Sequence, residues 1–426
     1  MPNIYIEKMV YGGSGMGRID NIIYFCPFVL PGEVVNIKSL TKKKHYIEAL
    51  PNLTIEASKK RITPRCPYFT KCGGCDYQHI DYYEQIHIKK DILMETFSHI
   101  GKIKVDNVEV FSSSQQYYYR NRIQLKVRNK RIGFYAKQTN KIVPINSCQI
   151  AHKKINEIIT YLENISLLFT DTSMDIYLLA SRNNNCVMKI ILLDPTKSFD
   201  VIEKTFINFF KDVVTGLVFY IKEKIGLKEI SFYGYKYISE RVHNMNFNIN
   251  IDSFFQINID QLENMLNIIT DYIKSQDIQK AADLYCGVGT FSITISKFLK
   301  KVIAIENNSF AINDAIANAH INNCNNIVFI NKNVEESLNI LDEEKCDLII
   351  IDPPRSGLNK GVIRSVSDSA QAIVYIACDP SKQARDIRLF INNGFILKNV
   401  MFLDMFPQTY HIESICILEK KYAKEK

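Results

Sequence analysis

The C-terminal third of this sequence predicts an α/β fold built on a doubly wound parallel sheet, and three observations carry the prediction. From about residue 256, short apolar strands alternate with segments of helical periodicity, the pattern of repeated βαβ units. A Gly-rich turn, Asp283-Leu-Tyr-Cys-Gly287-Val-Gly289-Thr290-Phe291, joins one strand to the next helix. Two later strands run into Asp-Pro-Pro and Cys-Asp-Pro turns, at the carboxyl edge where open parallel sheets bind ligands. A chain of 426 residues is long for one compact domain, so two or three are expected.

Residues 1–57 predict a small β-barrel. Apolar alternations at 4–7, 22–29 and 33–37 are cut by Gly12-Gly13-Ser14-Gly15 and Pro31-Gly32, as in closed or partly open barrels. A basic cluster, Lys42-Lys43-Lys44-His45, follows. Residues 58–80 are turn-rich and hold three cysteines, and 82–99 turns helical. Residues 117–250 read as α+β, with strands at 123–127, 187–193 and 216–221 and a helix at 154–165. Beyond 256 the order is helix 262–273, strand 280–285, helix 291–298, strand 301–306 and helix 310–322. Strands 327–331, 347–352 and 372–378 come next, then helix 381–393. Segments 395–403 and 412–420 complete the sheet as an antiparallel pair.

The composition, 46% hydrophobic and 23% charged, is that of a globular protein rather than a disordered one. The net charge of +8 is compatible with a polyanionic partner without requiring one. No stretch approaches the ~20 apolar residues of a membrane span. The first residues lack a signal-peptide run, so a cytoplasmic protein with no membrane partner is expected. In that compartment the 11 cysteines read as buried hydrophobes, metal ligands or nucleophiles rather than disulfides.

The Gly-rich turn lets backbone approach a ligand, and the helix after it offers unpaired N–H groups. Glu306 closes the following strand, where an acidic residue takes a ribose hydroxyl pair. Asp283 before the turn favours S-adenosylmethionine. A dinucleotide site expects a fuller Gly-x-Gly-x-x-Gly run, and position 292 is Ser. Asp352, after Ile349-Ile-Ile, is carried into the crevice by Pro353-Pro354; read blandly, it is a turn residue. Cys378 ends Ile373-Val-Tyr-Ile-Ala and precedes Asp379-Pro380. Alone it reads as a core cysteine. At a strand end beside a cofactor fold it reads as a nucleophile, its pKa lowered by the helix N-terminus that follows. His411 and Glu413 stand two apart in Asp404-Met-Phe-Pro407-Gln-Thr409-Tyr-His411-Ile-Glu413, on one face if the segment is a strand.

Cys66, Cys72 and Cys75 are spaced C-x5-C-x2-C around Gly73-Gly74, and Cys148 follows in Asn146-Ser-Cys-Gln. Four thiolates hold either zinc or a [4Fe–4S] cluster, and the spacing alone slightly favours zinc. Tyr117-Tyr-Tyr-Arg120-Asn121-Arg122-Ile-Gln-Leu-Lys126 interleaves rings and cations, which suits stacking and phosphate contact with unpaired RNA or, more plainly, a basic solvated face.

Together these motifs make the chain resemble the bacterial RNA 5-methyluridine methyltransferases, nearest to their iron–sulfur branch that modifies 23S ribosomal RNA. The resemblance rests on Phe254-Phe255-Gln256-Ile-Asn258, the Asp283 turn, Asp352-Pro-Pro-Arg355, Ala377-Cys378-Asp379-Pro380 and Phe406-Pro-x-Thr-x-His411-x-Glu413. It implies a Rossmann-like class I methyltransferase domain over 82–115 and 251–426, and a TRAM (oligonucleotide-barrel-like) domain over 1–57. A central α+β domain with the iron–sulfur site would span 58–81 and 116–250. Cys378 would add to uracil carbon 6, carbon 5 would take the methyl group, and Glu413 would remove the carbon-5 proton, with Asp352 orienting the base. Gln256, Tyr285, Gly287, Glu306, Asn333 and Asp352 would hold S-adenosylmethionine; Thr290 stands where some relatives carry Asn. Cys66, Cys72, Cys75 and Cys148 would bind the [4Fe–4S] cluster. Phe254, Arg120, Arg122 and Lys126 would contact RNA, and the target base must be flipped to meet the thiol. A monomer acting on 23S ribosomal RNA is expected, with the transfer RNA T-loop as the alternative substrate. An amino-group methyltransferase using the Asp-Pro-Pro turn would leave Cys378 unexplained; a non-catalytic RNA-binding iron–sulfur protein is the remaining competitor.

Overall fold

The computed structural model describes residues 2–165, 172–194 and 199–421. Three sheets and one hairpin organise them.

The first sheet contains Asn3–Tyr5, Lys8–Val10, Ser14–Ile19, Ile22–Pro27, Val34–Lys42 and Ile47–Glu56. Its spatial order is first, fifth, sixth, fourth, third, second. The pairs are antiparallel except Ile22–Pro27 with Ile47–Glu56. The sheet curls as a half-barrel around Ile4, Ile6, Cys26, Val29, Val35 and Ile37. Close curling needs a small residue at Gly17, where a Cβ would stand 2.2 Å from the Tyr5 carbonyl oxygen.

The second sheet has seven strands, in the order Ile142–Pro144, Arg131–Tyr135, Arg122–Arg128, Ser173–Ala180, Cys186–Leu192, Gly216–Lys222, Leu227–Gly234. Cys186–Leu192 and Gly216–Lys222 run parallel, and the helix Phe199–Phe210 makes the crossover between them. That helix and Lys153–Ile165 cover one face. The other face contributes Leu179, Val187, Ile191, Val218 and Tyr220 to an apolar cluster shared with the third sheet. A continuous core therefore ties the central and C-terminal sheets together.

The third sheet has eight strands, in the order Ile327–Asn331, Lys301–Glu306, Lys280–Leu284, Cys346–Ile351, Ala370–Ala377, Glu413–Lys420, Phe395–Leu403, Glu109–Phe111. The first five are parallel. Glu413–Lys420 is antiparallel to both its neighbours, as expected for the last pair. The helices Ile259–Ser275, Thr290–Ser296, Ser309–Ile321 and Pro380–Asn392 fall close to the sequence expectations. Leu338–Glu344 and Lys360–Ser369 were not foreseen. The first is short and mostly polar, and the second is interrupted by Gly361 and three serines that weaken its helical signal. The hairpin Tyr237–Val242 with Met245–Asn250 was likewise hidden.

The helix Tyr82–Thr96 continues as a π-turn, Phe97–Gly101, against the helix Pro380–Asn392. Farther on, Glu109–Phe111 pairs in parallel with Phe395–Leu403 as the edge strand. An early stretch of chain thus completes a sheet whose other strands begin only at Lys280. Among the described residues, no helix is long and apolar enough to cross a membrane.

Candidate active site

The register of the third sheet places the candidate residues along one edge. Tyr285, Glu306, Asp352 and Cys378 stand at, or one residue past, the carboxyl ends of four adjacent parallel strands. Glu413 begins the neighbouring antiparallel strand, and Ala377 pairs with Ser414, so Glu413 starts where its neighbour ends. The edge therefore reads Glu306, Tyr285, Asp352, Cys378, Glu413 from one side of the crevice to the other.

At one side the Gly-rich turn is held by its own neighbours. The Gly287 N–H donates to Glu306 Oε2 at 3.0 Å, and Asn308 N–H donates to Glu306 Oε1 at 2.8 Å. Gly289 caps the following helix at φ +80°, and a Cβ there would lie 3.0 Å from that of Ala315. The buried Asp283 carboxylate points at this helix, accepting from Ser292 N–H at 2.9 Å and from the Ser292 hydroxyl. Burial pushes its pKa up to about 7. Tyr285, itself at φ +65°, donates to Glu335 at 3.3 Å. Asn333 accepts from Asn307 at 2.9 Å on the rim of the same edge. The Phe254 carbonyl oxygen lies 4.0 Å from the Cβ position of Gly287, and the Phe254 ring is 62% exposed.

At the other side Glu413 is buried, Gln256, Asp352 and Cys378 are half-buried, and Arg355 is exposed. Gln256 Nε2 donates to Asp352 Oδ2 at 3.3 Å, and the Gln256 carbonyl accepts from Asn121 at 3.1 Å. Burial raises the pKa of Asp352 and of Glu413, and each feels other carboxylates: Asp283 acts on Asp352, and Asp352 on Glu413. Burial pushes the Cys378 thiol up to about 11, helped by Glu413 and Asp352 and opposed by the nearby Arg355. This corrects the expectation of a thiol lowered by the next helix. The Asp379 side chain already accepts from Ser381 and Lys382 N–H, so the helix donors nearest Cys378 are taken. The Cys378 carbonyl accepts from Tyr11 of the first sheet at 3.2 Å.

His411 does not share a strand face with Glu413, because the strand begins at Glu413. It stacks 4.3 Å from Tyr410 and 5.4 Å from Phe406, and burial among cations holds its pKa down to about 4. A cleft of about 820 Å³ opens onto Arg355, Tyr410, His411 and Lys137. Arg355 and Tyr11 were outside the candidate set. Arg355 was visible in the sequence, since it follows the Asp-Pro-Pro turn directly; no pattern near Tyr11 marks it.

Cys66, Cys72, Cys75 and Cys148 come together around a separate cavity of about 200 Å³. Burial raises all four thiols, Cys72 to about 11, and neighbouring cysteines add to it at Cys72, Cys75 and Cys148. Among the described residues, no three His, Cys, Asp or Glu side chains are grouped to hold a single metal ion.

The basic and aromatic stretch at 117–126 has most of its cations engaged by partners within the protein. Arg122 is half-buried and donates to the carbonyls of Ser253, at 2.6 Å, and Ile251. Lys126 pairs with Asp175 at 2.6 Å. Arg120 donates to the Arg122 carbonyl at 3.0 Å and lines the cysteine cavity. Arg122 thereby serves carbonyls of the segment 251–253 that would otherwise be buried without donors.

The model of a family described as tRNA (Uracil-5-)-methyltransferase matches residues 81–421. An uncharacterized RNA methyltransferase of Aquifex aeolicus is 35% identical, covering 98% of this chain and 98% of its own. An uncharacterized RNA methyltransferase of Clostridium tetani is 32% identical over 100% of this chain and 97% of its own. Among solved structures, the tRNA (uracil-54, C5)-methyltransferase of Pyrococcus abyssi in complex with S-adenosyl-L-homocysteine shares the fold at TM-score 0.76. That structure is 24% identical and covers 98% of this chain and 100% of its own. The chain belongs to the tRNA (uracil-5-)-methyltransferase family of RNA-methylating enzymes.

Proposed function

We propose that the enzyme methylates carbon 5 of a uracil in 23S ribosomal RNA, with Cys378 as nucleophile and Glu413 as base. The observation that carries this reading is the meeting of Cys378, Arg355, Asp352 and Glu413 at one strand edge. Carbon 5 of uracil is too weak a nucleophile to be methylated directly. Cys378 gives up its S–H proton to solvent in the cleft, its sulfur bonds to carbon 6, and the ring's double-bond electrons move toward the carbon-4 oxygen. S-adenosylmethionine supplies the methyl group to carbon 5 as a sulfonium. Glu413 then takes the carbon-5 proton, the double bond re-forms and the bond from sulfur to carbon 6 breaks.

The resting electrostatics suit that order. Burial and the neighbouring Asp352 carboxylate push the Glu413 pKa up, which favours Glu413 as the acceptor of the carbon-5 proton. Arg355 is the cation that favours the Cys378 thiolate as the base arrives. Gln256, Tyr285, Gly287, Glu306, Asn333 and Asp352 hold the cofactor, and Phe254 offers a ring for stacking in the RNA pocket. The target base is flipped out of its loop to reach the thiol.

Four thiols around one cavity, rather than at one point, suit a [4Fe–4S] cluster better than zinc, whose ligands converge at ~2.3 Å. The cluster would neutralise the repulsion among the thiolates and brace the 66–75 turn against Cys148; methyl transfer needs no electron from it. The chain divides into a TRAM-like module over 1–57, a cluster-bearing module over 58–81 and 116–250, and a methyltransferase module over 82–115 and 251–426. The transfer RNA T-loop is the second substrate reading, favoured by the description of the matching family.

RNA carrying 5-fluorouridine at the target should form a denaturation-resistant adduct that Cys378→Ala abolishes. Failure to trap one sinks the covalent mechanism. Mapping 5-methyluridine in ribosomal and transfer RNA from a deletion strain decides the substrate.

A further inference from the structure

The strand bearing Glu413 is reached through a buried loop, 404–409, whose hydrogen-bond acceptors are filled by distant parts of the chain. The Met405 carbonyl accepts from Asn258 Nδ2 at 3.4 Å, and the Phe406 carbonyl from Lys89 Nζ at 3.0 Å. The Pro407 carbonyl accepts from the Tyr119 hydroxyl at 2.9 Å. The Gln408 carbonyl takes the N–H groups of Asp76 and Tyr77, both at 3.0 Å, directly after Cys75. Lys89 also pairs with Asp404 at 2.6 Å with both side chains fully buried, and Tyr82 donates to the same carboxylate at 3.0 Å.

Gln408 is the tightest point of the loop. It holds φ at +69°, a left-handed conformation that a non-glycine residue adopts only under constraint. Its side-chain oxygen accepts from Gln85 Nε2, and its N–H donates to Gln85 Oε1, each at 3.1 Å. None of these donors lies in the loop's own sheet. The cysteine turn, the inserted helix, the strand lead at 119 and the cap of Ile259–Ser275 each supply one part.

We propose that this loop is a hub that sets the position of Glu413, and that Lys89, Tyr119, Asn258 and Gln85 are positioning residues for the proton-removal step. The proposal rests on the reading of Glu413 as the base. Proton transfer needs the carboxylate within hydrogen-bond reach of carbon 5, and a misplacement of about 1 Å costs on the order of 100-fold. Cys378 sits on a different strand end and is held through Tyr11 and Arg355. Loosening the hub therefore slows release of the adduct while leaving its formation intact.

Tyr119→Phe is the cleanest test, since it removes one hydroxyl and keeps the ring. Lys89→Met is the stronger variant but strands Asp404 and risks misfolding. With S-adenosylmethionine and ordinary uridine RNA, Tyr119→Phe should lower kcat about tenfold, the loss of roughly one hydrogen bond. KM for RNA should stay within about twofold. Covalent enzyme–RNA adduct should accumulate on denaturing gels, and trapping by 5-fluorouridine RNA should keep its wild-type rate. Glu413→Gln serves as the benchmark for accumulated adduct. If Glu413→Gln accumulates adduct and Tyr119→Phe does not, the hub proposal fails while the base assignment stands. Unchanged kcat, or trapping slowed as much as turnover, also overturns it. No adduct with Glu413→Gln removes the base assignment itself.

Discussion

The two halves of the crevice are built in different ways. The cofactor half, from Asp283 to Asn308, is one continuous βαβ stretch whose polar groups are satisfied by near neighbours: Ser292 by Asp283, Gly287 and Asn308 by Glu306. The half around Cys378 is assembled from Tyr11, Gln256, Asp352, Arg355, Cys378 and Glu413, which lie far apart in the chain, and Gln256 and Asp352 also reach the proposed cofactor side. There the acidic groups are buried beside one another and their pKa values move upward. A site that only binds can be satisfied locally. A site that must move protons keeps ionisable groups in a low-dielectric setting, and the whole fold has to hold them there.

Substitutions test this contrast in order of expected effect. Cys378→Ser should lower methyl transfer by at least ~10⁴-fold and leave S-adenosylhomocysteine affinity near wild type, as measured by calorimetry. A large loss of that affinity would show that the halves are not separable. Glu413→Gln should slow turnover by ~10²–10⁴-fold and leave adduct visible on denaturing gels with unmodified RNA. Glu306→Ala belongs to the other half. It should weaken S-adenosylhomocysteine binding by ~10–100-fold, the worth of a charged hydrogen bond, and 5-fluorouridine trapping should recover its wild-type rate at saturating S-adenosylmethionine.

Electrostatics supplies a smaller, directional effect. In the RNA-free enzyme, alkylation of Cys378, followed by mass spectrometry of its peptide, should rise with pH toward a midpoint near 11. Glu413→Gln should move that midpoint down, because after burial the Glu413 charge is the largest influence raising it. Arg355→Ala should move it up. A midpoint insensitive to both would place the three groups too far apart to act together. Least of all, Ser292→Ala should cost about 1 kcal/mol of stability in urea unfolding and change cofactor affinity less than twofold, because Asp283 faces the helix rather than the crevice.

Legibility in the sequence follows the same division. The strands 280–285, 301–306 and 347–352 and the turn between the first two were readable because period and turn chemistry are local. The thiol at Cys378 was visible from its strand end, but its raised pKa was not, since Glu413, Asp352 and burial act across the fold. The partners of Arg122 and Lys126 are hidden in the sequence for a related reason. A cation on a strand looks solvated until distant groups, Ser253 and Ile251 for Arg122 and Asp175 for Lys126, are folded against it. The helix Lys360–Ser369 escaped notice because glycine and serines mask its periodicity, and packing supplies what propensity does not.

The sequence by itself determined the alternating architecture of the C-terminal sheet, the Gly-rich turn with Glu306 behind it and the residues that could carry chemistry. These depend on side-chain period and backbone preference, which neighbours in the chain impose. Tertiary structure alone decided which of those residues face one another. It brought Tyr11 to the Cys378 carbonyl, closed the 404–409 loop with donors from positions 76 to 258, and gathered four cysteines around one cavity. The physical reason is that buried carbonyls and charges must find partners wherever the folded chain supplies them, and sequence distance does not enter that requirement.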